Sequence, residues 1–198
     1  NLRFLDPACG CGNFLVIAYR ELRLLELEVL RRQFAHADSV LKGVAEHVFV
    51  DVNQFYGIEI EEFPAQIAQV ALWLMDHQMN LRVAEQFGEY FARLPLVKSP
   101  TIVNDNALRI DWNAVVPRER LSYILGNPPF SGAMVMSDEA RDSFGEVFAD
   151  LKGSGVLDFV AAWYWLAAKY IQGTRIDVGF VSTNSICQGE QVGLLWRP

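Results

Sequence analysis

The chain has 198 residues, 52% hydrophobic and 21% charged, a composition that fits one globular domain with a sizeable core and excludes a disordered chain. Its formal net charge of −7 lacks the basic footprint by which a domain grips nucleic acid unaided. Either nucleic acid is not the substrate, or the DNA-gripping part lies outside this chain. Cys9, Cys11 and Cys187 form an odd set with no Cys-x-x-Cys pair or nearby histidine cluster, which argues against a disulfide framework or a zinc site and for a reducing cytoplasm.

Leu2 to Leu5 reads as a first strand ending at Asp6-Pro7, followed by a glycine-rich turn. A helix is predicted from about Asn13 to Phe34, with Phe14, Leu15, Ala18, Leu22 and Leu25 at three- and four-residue spacing. Tyr56 to Ile60 is a second strand, closed by Glu59, Glu61 and Glu62. The next helix runs from Pro64 to His77, with Ile67, Val70, Ala71 and Leu74 on one stripe. Thr101 to Val103 is a third strand, and Ser122 to Leu125 a fourth that ends at Gly126-Asn127-Pro128-Pro129-Phe130. Ser131 to Gly155 reads as a surface excursion with a short helix around Asp138 to Leu151. Leu157 to Ile171 is a buried helix whose apolar run, Phe159 to Ala168, is about half the ~20 residues needed to span a membrane. Asp177 to Ser182 is a fifth strand. The opening residues show no secretory signal, and no repeat interrupts the series. Strands alternating with helices predict an α/β fold, a doubly wound, mostly parallel sheet with ligands at the carboxyl ends of its strands.

The unusual polar motifs all fall at those ends. In Asp6-Pro7-Ala8-Cys9-Gly10-Cys11-Gly12-Asn13, the glycines allow a sharp turn and close backbone approach, and the helix amides beyond favour an anionic group. Asp6 would repel a pyrophosphate and attract an ammonium, which points toward a cofactor bearing an amino acid; the plainer reading is a tight strand-to-helix turn. Glu59 is placed to accept both hydroxyl hydrogens of a ribose, unless it is one more solvated acid among its neighbours. Asp105 either accepts from an adenine amine, with Ala107 and Leu108 as apolar walls, or caps a helix.

In Asn127-Pro128-Pro129-Phe130, the prolines stiffen the backbone and remove two amide donors. The Asn127 side-chain oxygen and the Pro128 carbonyl could then accept both hydrogens of one planar amino group, leaving its lone pair to attack a sulfonium methyl. Phe130 offers a face for an extruded base. A proline-rich turn is the rival reading.

Asp-Pro-Ala-Cys-Gly-x-Gly-Asn-Phe-Leu followed by Asn-Pro-Pro-Phe resembles motifs I and IV of the gamma-class amino-methyltransferases of DNA. The segment from Phe180 to Gln191 resembles more specifically the methyltransferase region of the MmeI-like (type IIL) restriction-modification enzymes. The resemblance spans nearly the whole chain. It implies the Rossmann-like fold of class I S-adenosylmethionine-dependent methyltransferases, with 1–198 as a catalytic core truncated at both ends. Motif X, the last sheet strands and the target-recognition domain have no counterpart, and Cys11 stands where Ser is commoner. By that resemblance Asp6, Ala8, Gly10, Gly12, Asn13, Glu59, Ile60, Asp105 and Asn106 hold S-adenosylmethionine. Asn127, Pro128 and Phe130 are catalytic, with Pro129 beside them at the target amine.

The activity implied is methylation of adenine N6 in DNA within a restriction-modification enzyme. DNA is the expected partner of the full-length parent and is bound weakly or not at all by this chain alone; no membrane or metal is expected. The cysteines lack the Pro-Cys pattern used to attack cytosine carbon, which disfavours C5 chemistry. The same Asn-Pro-Pro motif also serves methyltransferases of RNA or protein glutamine, and a cofactor-binding module without turnover is a further alternative.

Overall fold

The computed structural model describes residues 2–34, 47–87, 99–130 and 136–196. Five strands, β1 (Phe4–Asp6), β2 (Phe55–Glu59), β3 (Thr101–Asn104), β4 (Tyr123–Gly126) and β5 (Asp177–Phe180), form one sheet in the order β3-β2-β1-β4-β5. Every pairing is parallel. Successive strands step outward from β1 to β3, then restart at β4 on the other side of β1. That reversal opens a crevice at the carboxyl ends of β1 and β4, where ligands bind in sheets of this kind.

Alternation along β1 divides the core. Phe4 points to one face, stacking on Phe55 at 4.9 Å and on Tyr123 at 5.3 Å between ring centroids, and packs with Leu15, Tyr19, Ala68 and Leu72. Leu5 points to the other, joining Ile58, Ile124, Phe144, Leu157 and Trp163. The first face is covered by helices α1 (Asn13–Gln33) and α2 (Glu62–Phe87). The second is packed by the short α3 (Trp112–Val115), α4 (Asp138–Val147) and α5 (Ala161–Tyr170). A last helix, α6 (Gln191–Leu195), follows β5. No helix among the described residues is long and apolar enough to cross a membrane.

Three expectations change. The predicted apolar stripes are buried only in part: Leu15 is buried and Ala18 and Leu22 pack against the core, but Phe14, Leu25, Val70 and Leu74 are exposed, whereas Tyr19 and Arg23 of α1 and Asp76 and Asn80 of α2 are buried. These polar groups satisfy one another. The Tyr19 hydroxyl donates to Asp76, Arg23 donates to Asn80 Oδ1 (2.9 Å) and to the Val50 carbonyl (3.0 Å), and Asn80 donates to Asp76 Oδ2 (3.1 Å). Residues 136–155 are more than a surface excursion, because Met136, Phe144 and Phe148 join the core; 131–135 lie outside the described residues. The helix expected from Leu157 begins at Ala161, since 158–163 first winds through tight i→i+3 bonds such as Ala161 N to Asp158 O (2.9 Å).

Candidate active site

Beyond β1 the chain turns through 7–12 into α1. Gly10 and Gly12 sit in the left-handed region at φ 54° and 83°, where a side chain is disfavoured. Gly12 is also pressed against α2: a Cβ there would lie 3.0 Å from Ala68 Cβ and 3.1 Å from its Cα. The turn is held by β2, with Cys9 N donating to Ile58 O (3.1 Å) and Gly10 N to Glu59 Oε2 (2.8 Å).

Glu59 closes β2, half-buried. Its other oxygen, Oε1, accepts from Glu61 N at 2.9 Å, so each oxygen takes one backbone amide and keeps lone pairs to spare. After β3, Asn104 Nδ2 ties the strand end to the Glu59 and Ile60 carbonyls at 3.0 and 2.9 Å. Asp105 Oδ1 accepts from Asn106 N (2.7 Å), and Asn106 Oδ1 from Leu108 N (2.9 Å). Neither residue caps a helix: α3 is capped by Asp111, which accepts from Asn113 N at 2.9 Å.

Asp6 lies beneath this layer, 1% exposed. Its Oδ1 accepts from Ala8 N at 3.0 Å and abuts Gly126, where a Cβ would come within 2.4 Å of it. Burial pushes its carboxyl up to about 7, against the pull of the Ala8 amide, and the nearby charge of Glu59 adds to the rise. Burial likewise raises the Cys9 thiol, so Cys9 is a packing residue; Cys11 and Cys187 are exposed, and all three are free.

A cavity of about 510 Å³ opens at the carboxyl ends of the strands. It brings together Ala8, Glu59, Ile60, Asn106, Asn127 and Pro129 of the residues singled out by sequence. Asp6, Gly10, Gly12, Asn13, Asp105, Pro128 and Phe130 do not line it. Asp6 supports its floor, the two glycines shape the turn that bounds it, Pro128 is buried, and Phe130 stands 47% exposed after Pro129. Ala107 contributes a wall as expected, while Leu108 belongs to the core.

Sequence reasoning missed the far wall, made by Ser137, Glu139 and Ser143 along the first half of α4 and by Phe159 and Trp163 around the start of α5. Trp163 is fixed by its indole N–H, which donates to the Pro7 carbonyl at 3.0 Å. A tryptophan inside an apolar run gave no sign that it reached back to the first turn.

The lining carries three carboxylates, Glu59, Glu61 and Glu139, and no lysine, arginine or histidine. Such a cavity suits a ligand with positive charge and repels a pyrophosphate. Among the described residues no partner holds the Asn127 amide, which leaves its oxygen and nitrogen to a ligand. Glu59 presents paired acceptors, and Ile60, Ala107 and Phe159 present apolar surface for a planar ring. These residues fit a nucleoside that carries a cationic group.

The family described as MmeI, DNA-methyltransferase domain, matches residues 1–198. DNA methyltransferase A of Bacillus subtilis (strain 168) is 38% identical over 202 residues, covering 99% of this chain and 22% of that protein. The solved Type IIL restriction-modification enzyme MmeI, in complex with DNA, is 58% identical with a TM-score of 0.93 over 98% of this chain and 26% of that one. A nuclease-deletion mutant of the Type ISP enzyme LlaGI, at 18% identity and a TM-score of 0.60, shares the fold over 98% of this chain and 16% of its own. The chain thus spans about a fifth to a quarter of the length of the first two relatives.

Proposed function

Because the chain belongs to the MmeI DNA-methyltransferase domain family, we propose that it is the catalytic core of a restriction-modification enzyme that moves a methyl group from S-adenosylmethionine to adenine N6 in DNA. The observation that carries this reading is the shared cavity: Asn127 and Pro129 line the same acidic pocket as Glu59 and Asn106. One wall thus offers a nucleoside site, and the adjoining wall offers acceptors for an amine.

Glu59 would take the ribose hydroxyls on its remaining lone pairs, Ile60 and Ala107 would flank the cofactor's adenine, and Ala8 and the turn through Gly10 and Gly12 would bound its amino-acid end. The α1 amides behind that turn suit its carboxylate. When bound, S-adenosylmethionine supplies a methyl on an electron-poor sulfur, so the amine lone pair forms the new N–C bond as the C–S pair withdraws to sulfur. The Asn127 oxygen and the Pro128 carbonyl would accept the two amine hydrogens and steer the nitrogen toward a pyramidal shape. Neither is a base, so the proton shed after transfer passes to solvent. Phe130, exposed past the prolines, would stack the flipped base, and duplex contacts are left to the rest of the parent, given the charge of −7 here. Three free cysteines accord with a cytoplasmic setting.

The test is transfer of tritiated methyl by the intact protein to duplex DNA, RNA and protein, with the product nucleoside identified. Label in N6-methyladenine is expected. Label in RNA, protein or cytosine, or no turnover, would refute the reading. Asn127→Ala should lose most kcat at near-constant cofactor affinity. Phe130→Ala should instead weaken capture of the base by ~1–3 kcal/mol and be partly rescued by a mismatched target, and an equal response of both variants to the mismatch would refute these roles.

A further inference from the structure

The segment after β5 leaves the sheet beside the Asn127 turn, since Val181 N donates to Gly126 O at 2.9 Å. It winds through a 3-10 turn at Asn184–Cys187 and into α6 without joining another strand. Its side chains converge on Asp158, the residue before Phe159 of the cavity wall. The Ser185 hydroxyl donates to Asp158 Oδ2, and Gln191 Nε2 donates to the same oxygen at 3.2 Å. Gln191 Oε1 in turn accepts from Asp158 N at 2.8 Å, and Thr183 Oγ1 lies 2.6 Å from Ser185 Oγ. Two further ties are parallel to this one: the Tyr164 hydroxyl bonds the Phe180 carbonyl and Ser182 Oγ, both at 3.2 Å, and the Trp196 indole donates to Ile186 O at 2.7 Å.

The inner side of the segment is therefore tied down, whereas its outer side is open: Val181, Asn184, Gln188, Glu190 and Val192 are exposed. No residue from 181 to 196 lines the cavity. A segment so fixed is tied to Gly126, the residue before Asn127, and lies outside the cavity.

We infer that Asp158 is a positioning residue, which locks 183–191 onto the start of α5 as a rigid wall for the incoming DNA strand. This rests on the function proposed above. Because both side-chain bonds run to one oxygen, Asp158→Asn keeps an acceptor for them and Asp158→Ala does not.

The experiment compares the two variants in the intact protein by amide hydrogen exchange over 181–192, by KM for DNA, and by S-adenosylmethionine affinity. In Asp158→Ala exchange of the segment and KM for DNA should each rise about 10- to 100-fold, the loss expected for hydrogen bonds to a charged acceptor. Cofactor affinity should hold, and Asp158→Asn, whose neutral oxygen still accepts, should restore part of both readouts. Unchanged exchange in Asp158→Ala, an equal defect in Asp158→Asn, or a matching loss of cofactor affinity would overturn the inference. A wild-type protein that methylates no DNA would refute the function instead, while the exchange comparison would still judge the clamp.

Discussion

Replacing Asp6 by Asn tests the electrostatics under the cavity floor. Asp6 is buried with its carboxyl raised from the ordinary 3.8 to about 7, chiefly by desolvation. The folded protein therefore holds a proton, between about pH 4 and pH 7, that the unfolded chain has already released. Stability contributed by the protonated carboxyl is complete below that window and is lost as pH rises through about 7. At ~1.4 kcal/mol per pH unit the window carries at most ~4 kcal/mol. Asp6→Asn cannot ionise, and its amide oxygen can still accept from Ala8 N. Its stability relative to wild type should rise by ~3 kcal/mol from pH 4.5 to pH 8. Urea titrations at several pH values would read this through tryptophan fluorescence, because the Trp163 indole is bonded to Pro7, next to Asp6. Parallel stability profiles for the two proteins would show that Asp6 is ionised throughout, and the burial argument would fail.

Two other substitutions probe the neighbouring layers. Glu59→Ala removes a paired acceptor from the cavity and the anchor of Gly10 N, so S-adenosylmethionine affinity measured by calorimetry should fall by ~1.5–3 kcal/mol; unchanged affinity would remove Glu59 from the site. Asp76→Ala strands the Tyr19 hydroxyl and the Asn80 amide beside the buried Arg23, and should cost ~1–3 kcal/mol for each stranded group in denaturant unfolding. A loss below ~1 kcal/mol would mean that water replaces the carboxylate without difficulty.

The strands and the two motif turns were legible in the sequence because their signals are local: short apolar runs that end in Asp6, Glu59, Asn104 and Gly126. The helix faces were legible only in part. Hydropathy counts Leu25, Val70 and Leu74 as core and Arg23 and Asp76 as surface, whereas beside the apolar Leu15, Ala68 and Leu72 the α1–α2 contact includes polar groups that complete one another's hydrogen bonds. Nothing in either helix alone reveals that complementarity, since each polar residue finds its partner dozens of residues away. The far wall was hidden for the same reason. Phe159 and Trp163 look like ordinary core residues until the fold carries them across to Pro7. Within the motif itself, sequence placed Asp6 in contact with ligand; in the structure its side chain is buried, held by the Ala8 amide and pressed against Gly126.

The central place of β1 has a consequence for how the molecule comes into being. β1 is the first of the five strands to emerge during synthesis, yet its two flanking strands begin at Phe55 and Tyr123. At ~5–20 residues per second, its second edge stays bare for roughly ten seconds on the ribosome. No hairpin can shorten that interval, because every pairing in the sheet is parallel and requires a crossover. Until β4 docks, Phe4 lacks its Tyr123 stack, and the turn at Ala8 has no Asn127 opposite it. A nascent chain released before that point carries a sticky half-sheet and no cavity. Ligand binding should therefore appear abruptly with chain length, and early-terminated products should be substrates for chaperones and proteases.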